Sequence, residues 1–213
     1  MIEAVVYDFG GVFMESPFEA VHQMSDDKGH DYDVAVELLL GSYEDDTDHP
    51  WHRAERGELD VVSTREQISE LARARDLDLD LFELFKYVGM DREVYSPMVE
   101  SVRRARSRGC LTAILTNNIA EARGMWKAML PTEELFDVVV DSSEVGMRKP
   151  DLRIYQHTLD LLGNPEPERT VFLDDYPSNV QAAESIGMIG ILVGTDRTRA
   201  IALLDDLLAG GST

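Results

Sequence analysis

Thr170-Val171-Phe172-Leu173-Asp174-Asp175 is a short apolar run that closes on two carboxylates, and Ala4-Val5-Val6-Tyr7-Asp8 repeats the design near the start of the chain. Runs this short, continuous and rich in apolar residues read as strands buried on both faces of a parallel sheet. If the two lie side by side, their C-terminal ends bring Asp8, Asp174 and Asp175 into one crevice, where ligands of open α/β sheets bind. Three clustered carboxylates repel one another unless a hard cation sits among them, and Mg²⁺ suits an all-oxygen donor set. One Asp is then free to act as a nucleophile while the others hold the metal.

Strand-like runs of the same kind occur at Thr112–Thr116, Phe136–Val140 and Ile189–Val193. Helical patterns separate the later ones. Ser96-Pro97 reads as an N-cap with Pro at the first helical position, and Gly109 as the stop. Pro150 opens a second helix that Gly163 ends, and Pro177 opens a third that Gly187 ends. This alternation predicts a doubly wound parallel sheet with right-handed crossovers, an α/β fold. The first strand breaks the rhythm. After Asp8 comes a Gly-Gly turn and then a long stretch without a strand signal, helical over Phe18–Lys28, Val34–Tyr43, Thr64–Arg75 and Leu81–Val88. Thr64 with Gln67 has the spacing of a capping box. The expected organisation is a core of residues 1–14 and 93–213 and a helical cap of residues 15–92 over the carboxylates. The tail Gly210-Gly211-Ser212-Thr213 is expected to fray.

The 213 residues carry a formal net charge of −21. Nucleic acid and anionic membrane surfaces are poor partners for such a chain, because both are recognised through basic patches. The run Met1-Ile2-Glu3 lacks the basic start of a signal peptide, and no stretch is apolar enough to span a bilayer. The single cysteine, Cys110, opens an apolar run and reads as core. The expectation is a cytoplasmic protein, monomeric or homodimeric.

Four short motifs carry chemistry. Asp8-Phe9-Gly10-Gly11 follows the first strand and Thr116-Asn117-Asn118 the second. Gly146-Met147-Arg148-Lys149-Pro150-Asp151 leads into a helix, where a Lys can neutralise an anion. Asp174-Asp175-Tyr176-Pro177-Ser178-Asn179 follows the fourth strand. Asp, then Thr, then Lys, then Asp-Asp, each at a strand end or helix start, resembles the haloacid dehalogenase-like superfamily over nearly the whole chain. Within it the chain looks like the phosphatase branch that includes the N-terminal domain of soluble epoxide hydrolase and acyl-CoA dehydrogenase-fused domains. The resemblance implies a Mg²⁺-dependent phosphatase of a small phosphorylated metabolite. Asp8 would be the nucleophile that becomes an aspartyl phosphate. Asp8, the Gly10 carbonyl and Asp174 would bind Mg²⁺, with Asp175 helping directly or through water. Thr116 and the Asn117 amide would hold phosphoryl oxygens, and Lys149 would offset charge between Asp8 and the phosphate.

One position departs from the pattern. Most phosphatases of this superfamily carry a second Asp two residues after the nucleophile as general acid/base, and here Gly10 stands there. A positioned acid/base is worth about 10²–10⁴-fold. The enzyme is then slow, or its substrate has a good leaving group, or a cap residue such as Glu15, His22 or Asp26 substitutes. The alternative is a weak or inactive domain that binds a phosphorylated ligand or a protein partner. Carbon–halogen hydrolysis fits less well, since it needs no cation and would leave Asp174-Asp175 as a liability. A phosphomutase would also want the missing acid/base. The remaining clusters read as structural. Pro50 interrupts His49 and His52 as a metal pair, Glu44–Asp48 reads as a solvated loop, and Asp76, Asp78 and Asp80 fail the EF-hand pattern at Leu81 and Tyr87. Trp51 and Trp126 read as packing.

Overall fold

The protein is described by a computed structural model over residues 1–88 and 94–210. Five strands, β1 (Ala4–Tyr7), β2 (Leu111–Thr116), β3 (Val138–Asp141), β4 (Thr170–Asp174) and β5 (Ile189–Leu192), form one sheet in the order β3-β2-β1-β4-β5. Every pairing is parallel. Tyr7 lies opposite Ile114 on one side and Leu173 on the other, so Asp8 emerges beside Asp174. The chain winds from β1 toward β3, then crosses back to β4 and β5. The point of reversal lies between β1 and β4, at their carboxyl ends.

Period-two alternation explains why both faces are covered. Val5 and Tyr7 of β1 join one cluster with Ile114, Val171 and Leu173. Ala4 and Val6 join the opposite cluster with Ala113, Leu115 and Phe172. Helices α6 (Ser96–Ser107) and α12 (Arg197–Leu208) cover the first face through Met98, Val102 and Leu204. Helices α10 (Leu152–Leu161) and α11 (Pro177–Ser185) cover the second through Ile154, Tyr155 and Ala183. The short helices α7 (Arg123–Met129), α8 (Thr132–Leu135) and α9 (Ser142–Val145) flank β3.

Between β1 and α6 the described residues form α1 (Pro17–Lys28), α2 (Tyr32–Leu39), α3 (Pro50–Glu55), α4 (Val61–Arg73) and α5 (Leu81–Leu84). They bury a cluster of their own, with Val21, Met24, Leu39, Ile68 and Leu84 at its centre. The two ends of this insert meet at its neck, where the Tyr95 N–H donates to the Phe13 carbonyl at 2.8 Å. The expected boundary between residues 92 and 93 and the tail residues 211–213 lie outside the described residues. No helix among the described residues is long and apolar enough to cross a membrane.

Several elements differ in detail from the sequence expectation. Helix α4 starts at Val61, because Asp60 accepts from the Ser63 N–H. Thr64 therefore sits inside the helix and donates its hydroxyl to the Asp60 carbonyl, so it forms no capping box. Asp31 caps α2, which starts at Tyr32, two residues before the expected start, and Gly41 at φ 77° lies just past its end. Ser96 is the first residue of α6 and Tyr95 the cap position. Asp151, after Pro150, caps α10. Pro50 starts α3 with His49 as its cap, because a missing N–H does no harm in a first turn. The histidine rings lie 5.6 Å apart, and burial first, then Arg148, holds both below the usual imidazole range, as packed neutral rings. The Glu44–Asp48 loop is not wholly solvated: Asp46 pairs with Arg56 and its side chain is only 20% exposed. The third strand runs from Val138 to Asp141, because Phe136 ends α8 and packs into the core.

Candidate active site

Residues that leave the sheet at the β1–β4 reversal converge on a cavity of about 320 Å³. Its floor contains Asp8, Gly10, Thr116, Asn117, Lys149 and Asp175. Asp8 follows β1, and its N–H donates to the Leu173 carbonyl at 2.8 Å, which continues the ladder into the site. Gly11 at φ 69° turns the chain away. A Cβ there would lie 2.1 Å from the Asp175 carboxyl carbon, so only glycine lets the two loops approach.

Lys149 reaches from the loop before α10 into the space between β1 and β4. Its Nζ lies 2.8 Å from Asp8 Oδ1 and 2.6 Å from Asp174 Oδ2. Burial alone would push the Lys149 pKa down, but Asp174 and Asp8 outweigh it and hold the ammonium above its ordinary value. The Asn117 side chain fixes the lysine from behind. Its Oδ1 accepts from the Lys149 N–H at 2.8 Å and its Nδ2 donates to the Lys149 carbonyl at 3.0 Å. Asp174 accepts from the Tyr176 N–H at 2.8 Å, and from Asn179 Nδ2 at 3.0 Å on one oxygen and 3.2 Å on the other. Tyr155 holds the Asn179 carbonyl at 2.9 Å.

Burial drives the Asp8 carboxyl well above the usual carboxylate range. Lys149 opposes the shift, while Asp174 and Asp175 add to it. Burial raises Asp175 likewise, with Asp174 adding and Ser16 opposing. One lysine does not balance three carboxylates. Oxygens of Asp8, Asp174 and Asp175 lie within 4.8 Å of one another. Opposite ligands of Mg²⁺, bound at about 2.1 Å, stand roughly 4.2 Å apart. A small closing shift, or one ligand reached through water, therefore seats the ion, and the all-oxygen donors suit it. A buried oxygen of Asn179 also lacks a protein partner, as a group facing bound water would.

Asp8, Gly10, Thr116, Asn117, Lys149, Asp174 and Asp175, the residues given roles by the resemblance, come together at this site. Thr116 lines the cavity and its hydroxyl lies 3.4 Å from the Asn117 carbonyl. Of the candidate stand-ins for the missing acid/base, Glu15 lines the cavity, whereas His22 and Asp26 pair with each other on the exposed side of α1. Sequence reasoning missed Asp141, the buried carboxylate that ends β3. It accepts from Trp126 Nε1 at 3.0 Å and Asn118 Nδ2 at 3.2 Å, which fixes two residues of the cavity wall. The signal was present, because Val138-Val139-Val140-Asp141 repeats the pattern of the other two strands. It also missed the joint with the insert. Arg148, fully buried, donates from Nε to Glu55 at 2.7 Å and lies 4.9 Å over the Tyr43 ring. Glu55 also accepts from Tyr43 Oη at 2.8 Å and Trp51 Nε1 at 3.0 Å. Nearby, Gly57 at φ 71° packs so closely that a Cβ would lie 2.5 Å from the Ser143 carbonyl oxygen.

The family model of haloacid dehalogenase-like hydrolases matches residues 2–187. The chain belongs to this family, and it is a hydrolase. It is similar to mouse acyl-CoA dehydrogenase family member 10, with 30% identity over 210 residues that cover 96% of this chain and 19% of that protein. The chain spans about a fifth of the length of the first curated relatives it matches, which include bifunctional epoxide hydrolase 2 of rat, mouse and pig. The phosphorylated carbohydrates phosphatase of Thermotoga maritima is 28% identical over 198 residues, 88% of this chain and 82% of that protein. The fold resembles that of a family enzyme from Bacteroides thetaiotaomicron in complex with magnesium and inorganic phosphate. That match has a TM-score of 0.62 and 17% identity, over 92% of this chain and 96% of the other.

Proposed function

We propose that the chain is a Mg²⁺-dependent phosphatase that hydrolyses a phosphomonoester through an aspartyl phosphate on Asp8. One observation carries the reading: Lys149 Nζ touches both Asp8 and Asp174 at the floor of a cavity that Thr116 and Asn117 also line. An Asp8 oxygen attacks phosphorus. The bond from phosphorus to the leaving oxygen breaks, and that oxygen departs with the electron pair and takes up a proton. Water then attacks phosphorus, the Asp8–phosphorus bond breaks, and inorganic phosphate leaves. Lys149, Thr116 and the Asn117 amide balance charge on the phosphoryl oxygens, in a reaction that depends on positioning and electrostatics. Asp8, the Gly10 carbonyl and Asp174 would hold Mg²⁺, with Asp175 bound directly or through water. Bound there, the ion supplies further charge stabilisation for the transferring phosphoryl group. The magnesium and phosphate in the Bacteroides enzyme and the activity in the Thermotoga protein's name support this assignment. A cytoplasmic monomer or homodimer acting on a small molecule completes the proposal. The net charge of −21 argues against nucleic acid or an anionic membrane as partner.

Gly10 favours a second reading, a weak domain that only binds a phosphorylated ligand or a protein partner. Hydrolysis of p-nitrophenyl phosphate with Mg²⁺, with EDTA and with Asp8→Asn separates the two. Metal-dependent release that the substitution abolishes is expected. Folded protein that releases nothing would favour the binding reading, because an aryl leaving group hardly needs the acid missing at Gly10.

A further inference from the structure

We infer that the organic group of the substrate is an extended, uncharged apolar chain, held between the insert and α7. The inference rests on the reading that Asp8 takes a phosphoryl group. From the floor at Asp8 and Lys149 the cavity runs outward between two walls. The insert contributes Phe18, Trp51, Val61, Phe85 and Val88. The core contributes Ile119, Met125, Trp126 and Met129.

The polar atoms of these walls are largely occupied. Trp51 Nε1 and Tyr43 Oη point into Glu55. Trp126 Nε1 and the Asn118 amide point into Asp141. Glu121 accepts from the Val61 N–H at 2.9 Å, which ties the walls together. A sugar would need partners for several hydroxyls, and hydroxyls buried without them are penalised. An alkyl or prenyl chain needs only area, which the aromatic and methionine side chains provide. Charge narrows the class further. Among the described residues the lining carries Asp8, Glu15, Glu121 and Asp175 against Lys149, besides Glu55, which Arg148 balances from behind the wall. A second anionic group at the far end would meet repulsion, so bisphosphates and nucleotides fit poorly. The inference departs from the carbohydrate in the name of the Thermotoga relative.

A series of n-alkyl monophosphates from ethyl to decyl tests this, with glucose 6-phosphate as the polar comparison. Binding is read by calorimetry in Mg²⁺ on the Asp8→Asn protein, checked for fold by circular dichroism, so the readout does not depend on turnover. Affinity should rise by about fourfold per methylene until the cavity is filled. Met125→Glu should lower the octyl-to-ethyl affinity ratio. Equal affinity along the series, or glucose 6-phosphate binding more tightly than the octyl ester, would overturn the inference. Turnover by the unsubstituted protein is measured in parallel. Chain-length-dependent binding without turnover would sink the phosphatase reading alone, and turnover with a flat series would sink the apolar chain alone.

Discussion

Glu55→Ala should be among the most damaging single substitutions in this protein, although Glu55 lies outside the proposed chemistry. Glu55 is 1% exposed and Arg148 0% exposed. Truncation removes the 2.7 Å partner of Arg148 Nε and leaves that guanidinium, among the described residues, with Asp46 as its one carboxylate, 3.6 Å from Nη1. Breaking one side of a buried ion pair costs about 3–5 kcal/mol. The donors Tyr43 Oη and Trp51 Nε1 also lose an acceptor, at about 1–3 kcal/mol for each that stays dry. These terms overlap, so a net loss of about 4 kcal/mol is expected, against a typical domain stability of about 5–15 kcal/mol. Urea unfolding followed by tryptophan fluorescence is the assay, since Trp51 reports on the insert and Trp126 on the core. Glu55→Leu combined with Arg148→Met should be less damaging than Glu55→Ala, because an apolar pair of similar volume replaces both charges. A loss below about 1 kcal/mol for Glu55→Ala, or strict additivity in the double variant, would refute the account of the joint.

Three further outcomes are expected. Gly10→Asp has room, since the nearest side-chain atom to its Cβ is Pro17 Cδ at 3.5 Å. It should raise turnover of alkyl phosphates by about 10²-fold or more, and of aryl phosphates by much less; equal gains in a steady-state assay would count against the missing-acid argument. Gly11→Ala should weaken Mg²⁺ binding in a calorimetric titration, because its Cβ would displace the Asp175 carboxylate; an unchanged affinity would remove Asp175 from the metal site. The third concerns pH. Asp8 and Asp175 have raised pKa values in the metal-free fold, so the native state holds protons that the unfolded chain releases above about pH 4. Their contribution to stability is therefore full below that pH and is lost as pH rises through the folded values. Thermal melts of metal-free protein should shift downward from pH 5 to pH 8, and Mg²⁺ should stabilise more at pH 8; a flat profile would contradict the electrostatic picture.

The sheet and the carboxylate cluster were legible because they rest on local signals: an apolar run, a period of two and the charge that ends it. Asp8, Lys149 and Asp174 could be brought together from sequence because parallel strands place like ends together. The insert was harder to read. Asp60 rather than Thr64 caps α4, because both the N–H and the hydroxyl of Ser63 reach its carboxylate. Glu55 meets Arg148 at a sequence separation of 93, and nothing local to either residue announces the contact. Trp51 and Trp126 read as packing, yet both line the cavity: a large apolar ring gives the same sequence signal whether it fills a core or walls the space between insert and core.

The neck at Phe13 and Tyr95 has an evolutionary consequence. Because the two ends of the insert are hydrogen-bonded neighbours, a different helical unit can be spliced there without changing the register of any strand. Selectivity and chemistry can then diverge separately, one in the exchanged unit and the other at the strand ends. The exchange has a docking rule. An acceptor for Arg148 and a close-packing glycine beside Ser143 must arrive together, as Glu55 and Gly57 do here, one at the last position of α3 and the other two positions on. A chimaera that keeps this pair should seat its new helices over the carboxylates, and one that omits it should leave a buried guanidinium without its partner.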